Sequence, residues 1–181
     1  MMKLTRCLGL IAVSITCLAI SASAQKVAAP SATSDVLLTV SGKVDHPLSL
    51  TRADLDKFTR QTLRTRGRDG KEHTYEGVAI ADILQRVGVK FGEALHQEAV
   101  ATYLLAEAAD GYQAVFALPE FDSSTLDRLI LIADRQDGSP LPAASSPLQI
   151  IVAGDKGHGR WMRQVKSLTL VRAPKSTTSS Q

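Results

Sequence analysis

The chain has 181 residues, 44% of them hydrophobic and 22% charged, with one Trp, three Tyr and four Phe. That supplies one domain with a real core and excludes a wholly disordered chain, while leaving little room for a second domain. The formal net charge of +3 needs correcting for its first segment before it says anything about partners.

Residues 1–24 read as a secretory signal. Lys3 and Arg6 form the basic start, residues 8–20 the apolar run, and Ala22-Ser23-Ala24 the small-residue cleavage motif. Cleavage after Ala24 removes two positive charges and no negative one, so the net charge falls from +3 to +1. No overall basicity then remains to suggest nucleic acid. Cys7 and Cys17 both lie in the signal, which leaves the mature chain without a disulfide, a thiolate zinc site or a cysteine nucleophile. Lipid attachment at Cys17 is the alternative to cleavage after Ala24. The apolar run is short for a membrane span and no second one follows, so a soluble periplasmic domain is expected, with no transmembrane segment in the mature chain.

Residues 25–34 (Ala, Pro, Ser, Thr) form a linker, and residues 175–181 a polar tail. The folded unit is expected over residues 35–174. Residues 36–40 are a strand ended at Ser41-Gly42. Thr51-Arg52-Ala53-Asp54 is an N-cap with an acid three residues on, opening a short helix to about Phe58. Residues 61–68 form a strand, and Arg68-Asp69-Gly70-Lys71 a hairpin turn suited to positive φ. Ile80, Ile83, Leu84 and Val87 recur at helical spacing, with Gly88 as the stop. Residues 99–106 and 113–118 are strands joined at Asp110-Gly111, and residues 129–133, 149–153 and 167–171 are three more. Short strands with two or three short helices indicate an α+β, sheet-rich domain.

Familiar catalytic spacings are missing: there is no Gly-x-Ser-x-Gly, His-Glu-x-x-His or Gly-x-x-x-x-Gly-Lys. His46, His73, His96 and His158 have no ligand partner at short spacing, so no metal site is expected. Two basic groupings stand out instead. Arg60, Arg64, Arg66 and Arg68 share even positions, which places them on one side of a strand. Such a row is either a solvated sheet face or a wall for an anionic ligand, since guanidinium matches phosphate and carboxylate. Lys156, His158, Arg160, Arg163 and Lys166 are interleaved with Gly154, Gly157 and Gly159 and lie beside Trp161. This is a mobile basic loop or a ligand loop with a flat indole face. Asp110-Gly111-Tyr112 is a hairpin turn that brings Tyr112 to the start of a strand.

In this order these segments resemble the molybdopterin-binding domain of the sulfite oxidase family, in a short exported single-domain form. The matching elements are Tyr75-Glu76-Gly77-Val78 with the following helix, Asp110-Gly111-Tyr112, and residues 129–133 with Asp137-Gly138-Ser139-Pro140-Leu141. Ser146-Pro147-Leu148-Gln149-Ile150-Ile151-Val152 and Arg163-Gln164-Val165-Lys166 complete the series. The resemblance spans residues 36–171. It implies the sheet-rich sulfite oxidase core as the fold and molybdopterin, a pterin-dithiolene carrying molybdenum, as the cofactor. It also implies that Arg163 and Lys166 occupy positions that help hold the pterin phosphate.

Two departures accompany it. Family enzymes bind the metal through a cysteine thiolate in the segment corresponding to residues 59–68, which here holds threonines and arginines. Ser146 and Gln149 replace a common glycine and arginine.

The resemblance and its departures lead to an exported protein that binds an anionic small molecule or pterin without sulfite-oxidase-type chemistry. The alternative is a molybdopterin-dependent oxidoreductase whose metal is held by the dithiolene alone. The chain carries no haem-attachment Cys-x-x-Cys-His, so electron transfer would need an exported partner protein. Arg64, Arg66, Asp110, Tyr112, His158, Arg160, Trp161, Arg163 and Lys166 are the expected cofactor-binding residues. The arginines and Lys166 are expected to converge on one anion pocket, with Tyr112 and Trp161 stacking on a planar ring.

Overall fold

The computed structural model describes residues 35–95 and 100–174. The expected signal, linker and polar tail, His96 and the start of the strand expected from residue 99 lie outside the described residues.

Among the described residues, ten strands form two sheets. In the first, β1 (Leu38–Gly42) is flanked by β2 (Leu48–Leu50) and, in parallel, by β10 (Val165–Arg172). The antiparallel strands β5 (Thr102–Ala108) and β6 (Gln113–Ala117) continue this sheet from β10. Burial alternates along β1, β5 and β6, as a sheet with one face on the core requires. Leu38, Val40, Leu104, Phe116, Leu168 and Leu170 point inward.

The second sheet runs β3 (Arg60–Arg66), β4 (Glu72–Ala79), β7 (Ile130–Gln136). Both β8 (Ser139–Pro140) and β9 (Gln149–Val152) pair with the far side of β7, at opposite ends. Residues 130–134 of β7 and all of β9 are buried, so these strands are apolar runs without alternation. Gly77 permits the contact between β4 and β7: a Cβ there would lie 1.9 Å from the Ile132 carbonyl oxygen. A register shift falls beside it, between Glu76 and Gly77.

The two α-helices among the described residues are short. Thr51 caps α1 (Arg52–Leu55): its hydroxyl oxygen accepts from the Asp54 amide at 3.3 Å, and Asp54 accepts from the Thr51 amide at 3.1 Å. Hydrogen bonds from Lys57 and Thr51 hold the Asp54 carboxyl far below the usual carboxylate range. Helix α2 (Ile80–Arg86) buries Ile80, Ile83 and Leu84 and ends where Gly88 takes a φ of +100°. The expected α+β, sheet-rich class therefore holds. Strand β4, which runs from a turn straight into α2 and is rich in polar residues, was not among the expected strands, and β7 extends three residues beyond its expected end.

Candidate functional site

The expected strand at residues 61–68 resolves into β3 followed by a turn, and this break decides where its arginines go. Arg60, Thr62, Arg64 and Arg66 are exposed on one side of β3, while Gln61, Leu63 and Thr65 are half-buried on the other. Gly67 donates to the Lys71 carbonyl at 2.7 Å and closes the hairpin turn, with Gly70 at a φ of +78°. Arg68 has left the strand. Its Nη2 donates to the carbonyl oxygens of His158 (2.5 Å) and Trp161 (3.0 Å), tying the turn to the glycine-containing loop.

Pairing with β9 delivers that loop's end to the same place. The Ile150 amide donates to the Met162 carbonyl at 2.8 Å, Gln149 and Arg163 form an isolated bridge, and the Val165 amide donates to the Leu148 carbonyl at 3.0 Å. Gln164, at a φ of +53°, accepts from the Ala109 amide at 2.9 Å, which seats the β5–β6 turn alongside. Tyr112 then reaches across and donates its hydroxyl proton to the Gly159 carbonyl at 2.8 Å.

Two adjoining clefts result. The smaller, ≈ 190 Å³, is lined by Arg68, Asp110, Tyr112, Gly159, Trp161, Met162 and Arg163. The larger, ≈ 250 Å³, shares Arg68, Trp161 and Arg163 and adds the turn at Gly67 and Asp69, His73 and Tyr75 of β4, Gln136, and the segment with Ser145 and Gln149. Trp161 is 1% exposed and stands edge-on to Tyr75 (5.9 Å between centroids) and to His158 (4.3 Å). Its Nε1 is the one buried side-chain polar atom among the described residues that lacks a hydrogen-bond partner.

The expected site is thus brought together only in part. Asp110, Tyr112, Trp161 and Arg163 line one cleft, but Arg64, Arg66, Arg160 and Lys166 line neither. Arg64 lies on the opposite side of the strand and pairs with Glu72 at 2.6 Å. Arg66 shares that side, and only its carbonyl oxygen meets the loop, accepting from His158 Nε2 at 3.0 Å. Arg160 turns away: Glu120 (2.8 Å) and Asp155 (3.0 Å) neutralise it, and its guanidinium lies 4.9 Å over the Phe116 ring. Lys166 sits on a β-bulge of β10 with an exposed side chain. Buried and edge-packed, Trp161 presents no open face for stacking; what it offers is a donor.

Arg68 was grouped with the strand arginines in the expectation and left out of the site. The Asp69-Gly70 turn signal beside it was sufficient to detach it from the strand. His73, Ser145 and Gln149 are residues that the sequence alone did not place at the site. Their arrival there depends on pairing between strands distant in the chain.

Two sheets joined in this way, with basic turns at one end, define a fold that is met elsewhere. In the crystal structure of the sulfane dehydrogenase SoxCD from Paracoccus pantotrophus, one chain matches with a TM-score of 0.59 at 23% sequence identity. The match covers 76% of this chain and 38% of that one, so this protein corresponds to well under half of its structural relative. No curated protein matches the chain. A family model described as the oxidoreductase molybdopterin binding domain matches residues 25–179. The chain belongs to that family, and its fold is the sulfite-oxidase-like molybdopterin-binding fold.

The cofactor implied by the family can be tested against the residues present. No cysteine occurs after Cys17. Thr65 is a half-buried polar residue on the inner side of β3, and its hydroxyl is a hard donor where a thiolate is soft. The clefts of ≈ 190 and ≈ 250 Å³ are each smaller than the roughly 300 Å³ at which pockets for drug-sized ligands begin. These residues do not fit a thiolate-bound metal. They do fit a compact group with several hydrogen-bond acceptors and negative charge.

Proposed function

We propose that this protein binds an anionic small molecule, or the anionic end of a pterin, between the Gly67–Lys71 turn and the loop that ends at Arg163. In this reading it does so without sulfite-oxidase-type chemistry. The observation that carries the reading is the state of Arg68. Its Nη2 is committed to two backbone carbonyls, which fixes the side chain, while Nε and Nη1 have no partner among the described residues. A guanidinium held this way gives up little further freedom when an anion arrives. Exposed Arg163 adds a second guanidinium with no ion pair among the described residues, and the unpartnered Nε1–H of Trp161 adds a neutral donor. A site built to donate from three side chains, beside the small polar residues Ser145 and Gln149, suits phosphate, sulfate or a carboxylate.

The test is thermal melting against sulfate, phosphate and a pterin phosphate. Each anion should raise the melting temperature by linkage, and added chloride should diminish the effect. No response to any of the three at low ionic strength would refute the reading.

Family membership favours a second reading, a molybdopterin-dependent oxidoreductase with the metal held by the dithiolene alone. It requires the two clefts to open into one, which the Arg68 bonds to the loop oppose. Near-stoichiometric molybdenum and a pterin fluorophore in natively purified protein would establish it in place of the first. Export to the periplasm is part of the proposal and is supported by the pattern of residues 1–24. An exported partner protein belongs to the second reading, because electron transfer would need one. Mass spectrometry of secreted protein should find a start near Gln25; lipid on Cys17 would replace a soluble protein with an anchored one.

A further inference from the structure

His73 is clamped on both ring nitrogens. Nδ1 lies 2.6 Å from Asp137, and Nε2 lies 3.1 Å from Asp69. These carboxylates belong to different hairpin turns. Asp69 follows Arg68 in the β3–β4 turn, and Asp137, at a φ of +51°, stands in the β7–β8 turn next to Gln136. Residues of the first turn, with His73 and with Gln136 at the end of β7, line the larger cleft. We propose that His73 is a positioning residue for the anion cleft, and that its proton and the anion bind cooperatively. The inference rests on the reading of the cleft given above and adds the control of its affinity.

Two effects of the proton act in one direction. Only an imidazolium donates from both nitrogens; a neutral ring has one N–H and one lone pair, so one carboxylate loses its donor. The Gln136 amide, 2.9 Å from Nδ1, then offers that lone pair another partner at the expense of Asp137. The β7–β8 turn then keeps only the bonds between Asp137 and the Thr74 backbone, and the cleft wall loosens. The ring also contributes charge. The larger cleft is lined by Arg68, Arg163 and His73 against Asp69, and loss of the proton removes one positive charge from that wall.

The charged and titratable groups against the ring are Asp69 from one turn, Asp137 from the other and Tyr75 on its own strand, with Arg68 and Arg163 on the same cleft. A bond from the Lys71 amide, then His73, holds Asp69 below the usual carboxylate range; a bond from the Thr74 amide, then His73, does the same for Asp137. Burial pushes the Tyr75 phenol up. His73 is therefore the group whose charge changes near neutrality. The bonds to Asp137 and Asp69 raise its pKa above the ordinary histidine value despite some desolvation. With the folded value raised, the clamp is intact below the unfolded value and is lost as pH rises through the folded one. Reciprocity requires the bound anion to raise it further.

Sulfate is the probe, because it remains a dianion throughout the range. Its affinity is measured from about pH 6 to about pH 9 for the wild type, His73→Gln and Asp137→Asn, and the His73 ring is titrated by NMR with and without saturating sulfate. In the wild type, affinity should fall roughly fivefold or more as His73 loses its proton, and saturating sulfate should raise the ring's midpoint by about 0.7 pH units or more. His73→Gln should bind weakly with no such step. Asp137→Asn, which keeps the imidazole, should move the step to lower pH.

A midpoint that sulfate does not move, or an unshifted step in Asp137→Asn, would overturn the proposal. If the wild type binds sulfate and Arg163→Ala weakens it, but the pH profile is the same in His73→Gln, the proton linkage alone fails. If the wild type does not bind sulfate at pH 6, the cleft reading fails and this inference falls with it.

Discussion

Arg60, Arg64 and Arg66 leave β3 on its exposed side, while Arg68, two residues further on, turns toward the loop carrying Trp161 and Arg163. Two of these strand arginines meet carboxylates. Arg60 shares the buried Asp134 with Arg52, and Arg64 takes Glu72. Arg68 meets backbone carbonyls, which satisfy two donor contacts without cancelling its charge. Arg163 has no ion pair among the described residues. Four arginines at even positions thus divide by what faces them. In the proposed reading, the anion site lies where the neighbouring acceptors are neutral.

The sharpest way to test the compensated side is to remove its central carboxylate. The Asp134 side chain is 4% exposed and bonds to Arg52 and Arg60 together, fastening α1 and β3 to β7. Asp134→Ala leaves two guanidiniums facing each other. Both reach solvent in part, so we expect a loss of about 3 kcal/mol, the low end for breaking a buried pair. Denaturant midpoints at constant m-value would measure it. A loss no larger than that of a surface pair would mean that β3 is held by its ladder to β4 alone.

The uncompensated side is tested by binding. Arg163→Ala should weaken sulfate at least tenfold, about 1.4 kcal/mol, the scale of a charged hydrogen bond. Arg64→Ala and Lys166→Ala, which change residues outside the clefts, should leave binding unchanged. Arg68→Lys should weaken it as well, because an ammonium lacks the planar fork that bonds two carbonyls and an anion at once. Equal losses from Arg64→Ala and Arg163→Ala would dissolve the distinction between the two regions.

Arg160 lies in the glycine-containing loop but is ion-paired, as Arg60 and Arg64 are. With Arg128 it joins Glu120 and Asp155 into one network of ion pairs. Arg160→Ala should therefore cost stability, about 1 kcal/mol because Arg128 still bridges the two carboxylates, and should spare sulfate binding. A variant that keeps its stability but loses binding would return Arg160 to the site.

These distinctions explain what could be read in advance. The row of arginines on one side of β3 follows from alternation alone, and the turn at Asp69-Gly70 from the positive φ that Gly70 supplies. The apolar runs at β9 and the start of β7 also announced themselves. The sequence Glu72-His73-Thr74-Tyr75-Glu76-Gly77 has no apolar period, and it is a strand because it pairs on both edges, with β3 and β7. A hairpin turn requires a second strand, so the turn was the available signal for β4. The partners that decide each arginine's role lie far along the chain: Asp134 from Arg60, Glu120 from Arg160, His158 and Trp161 from Arg68. Spacing within a segment carries no information about them, which is why it groups basic residues that the structure separates.

The smallest effect is expected at Glu72. Its pair with Arg64 is short, 2.6 Å, yet the two side chains are 58% and 74% exposed. Water solvates both ions nearly as well apart as together, and holding two long side chains in one geometry costs entropy. Glu72→Ala should change stability by no more than about 0.5 kcal/mol, and a double-mutant cycle with Arg64→Ala should give a coupling of that size or less. Raising the salt concentration should erase it, since exposed charges are screened within a few ångströms near about 1 M salt. A coupling well above 1 kcal/mol that survives salt would show that this side of β3 is shielded from water. The arginine row would then need a partner of its own, and the contrast with the Arg68–Arg163 cleft would have to be redrawn.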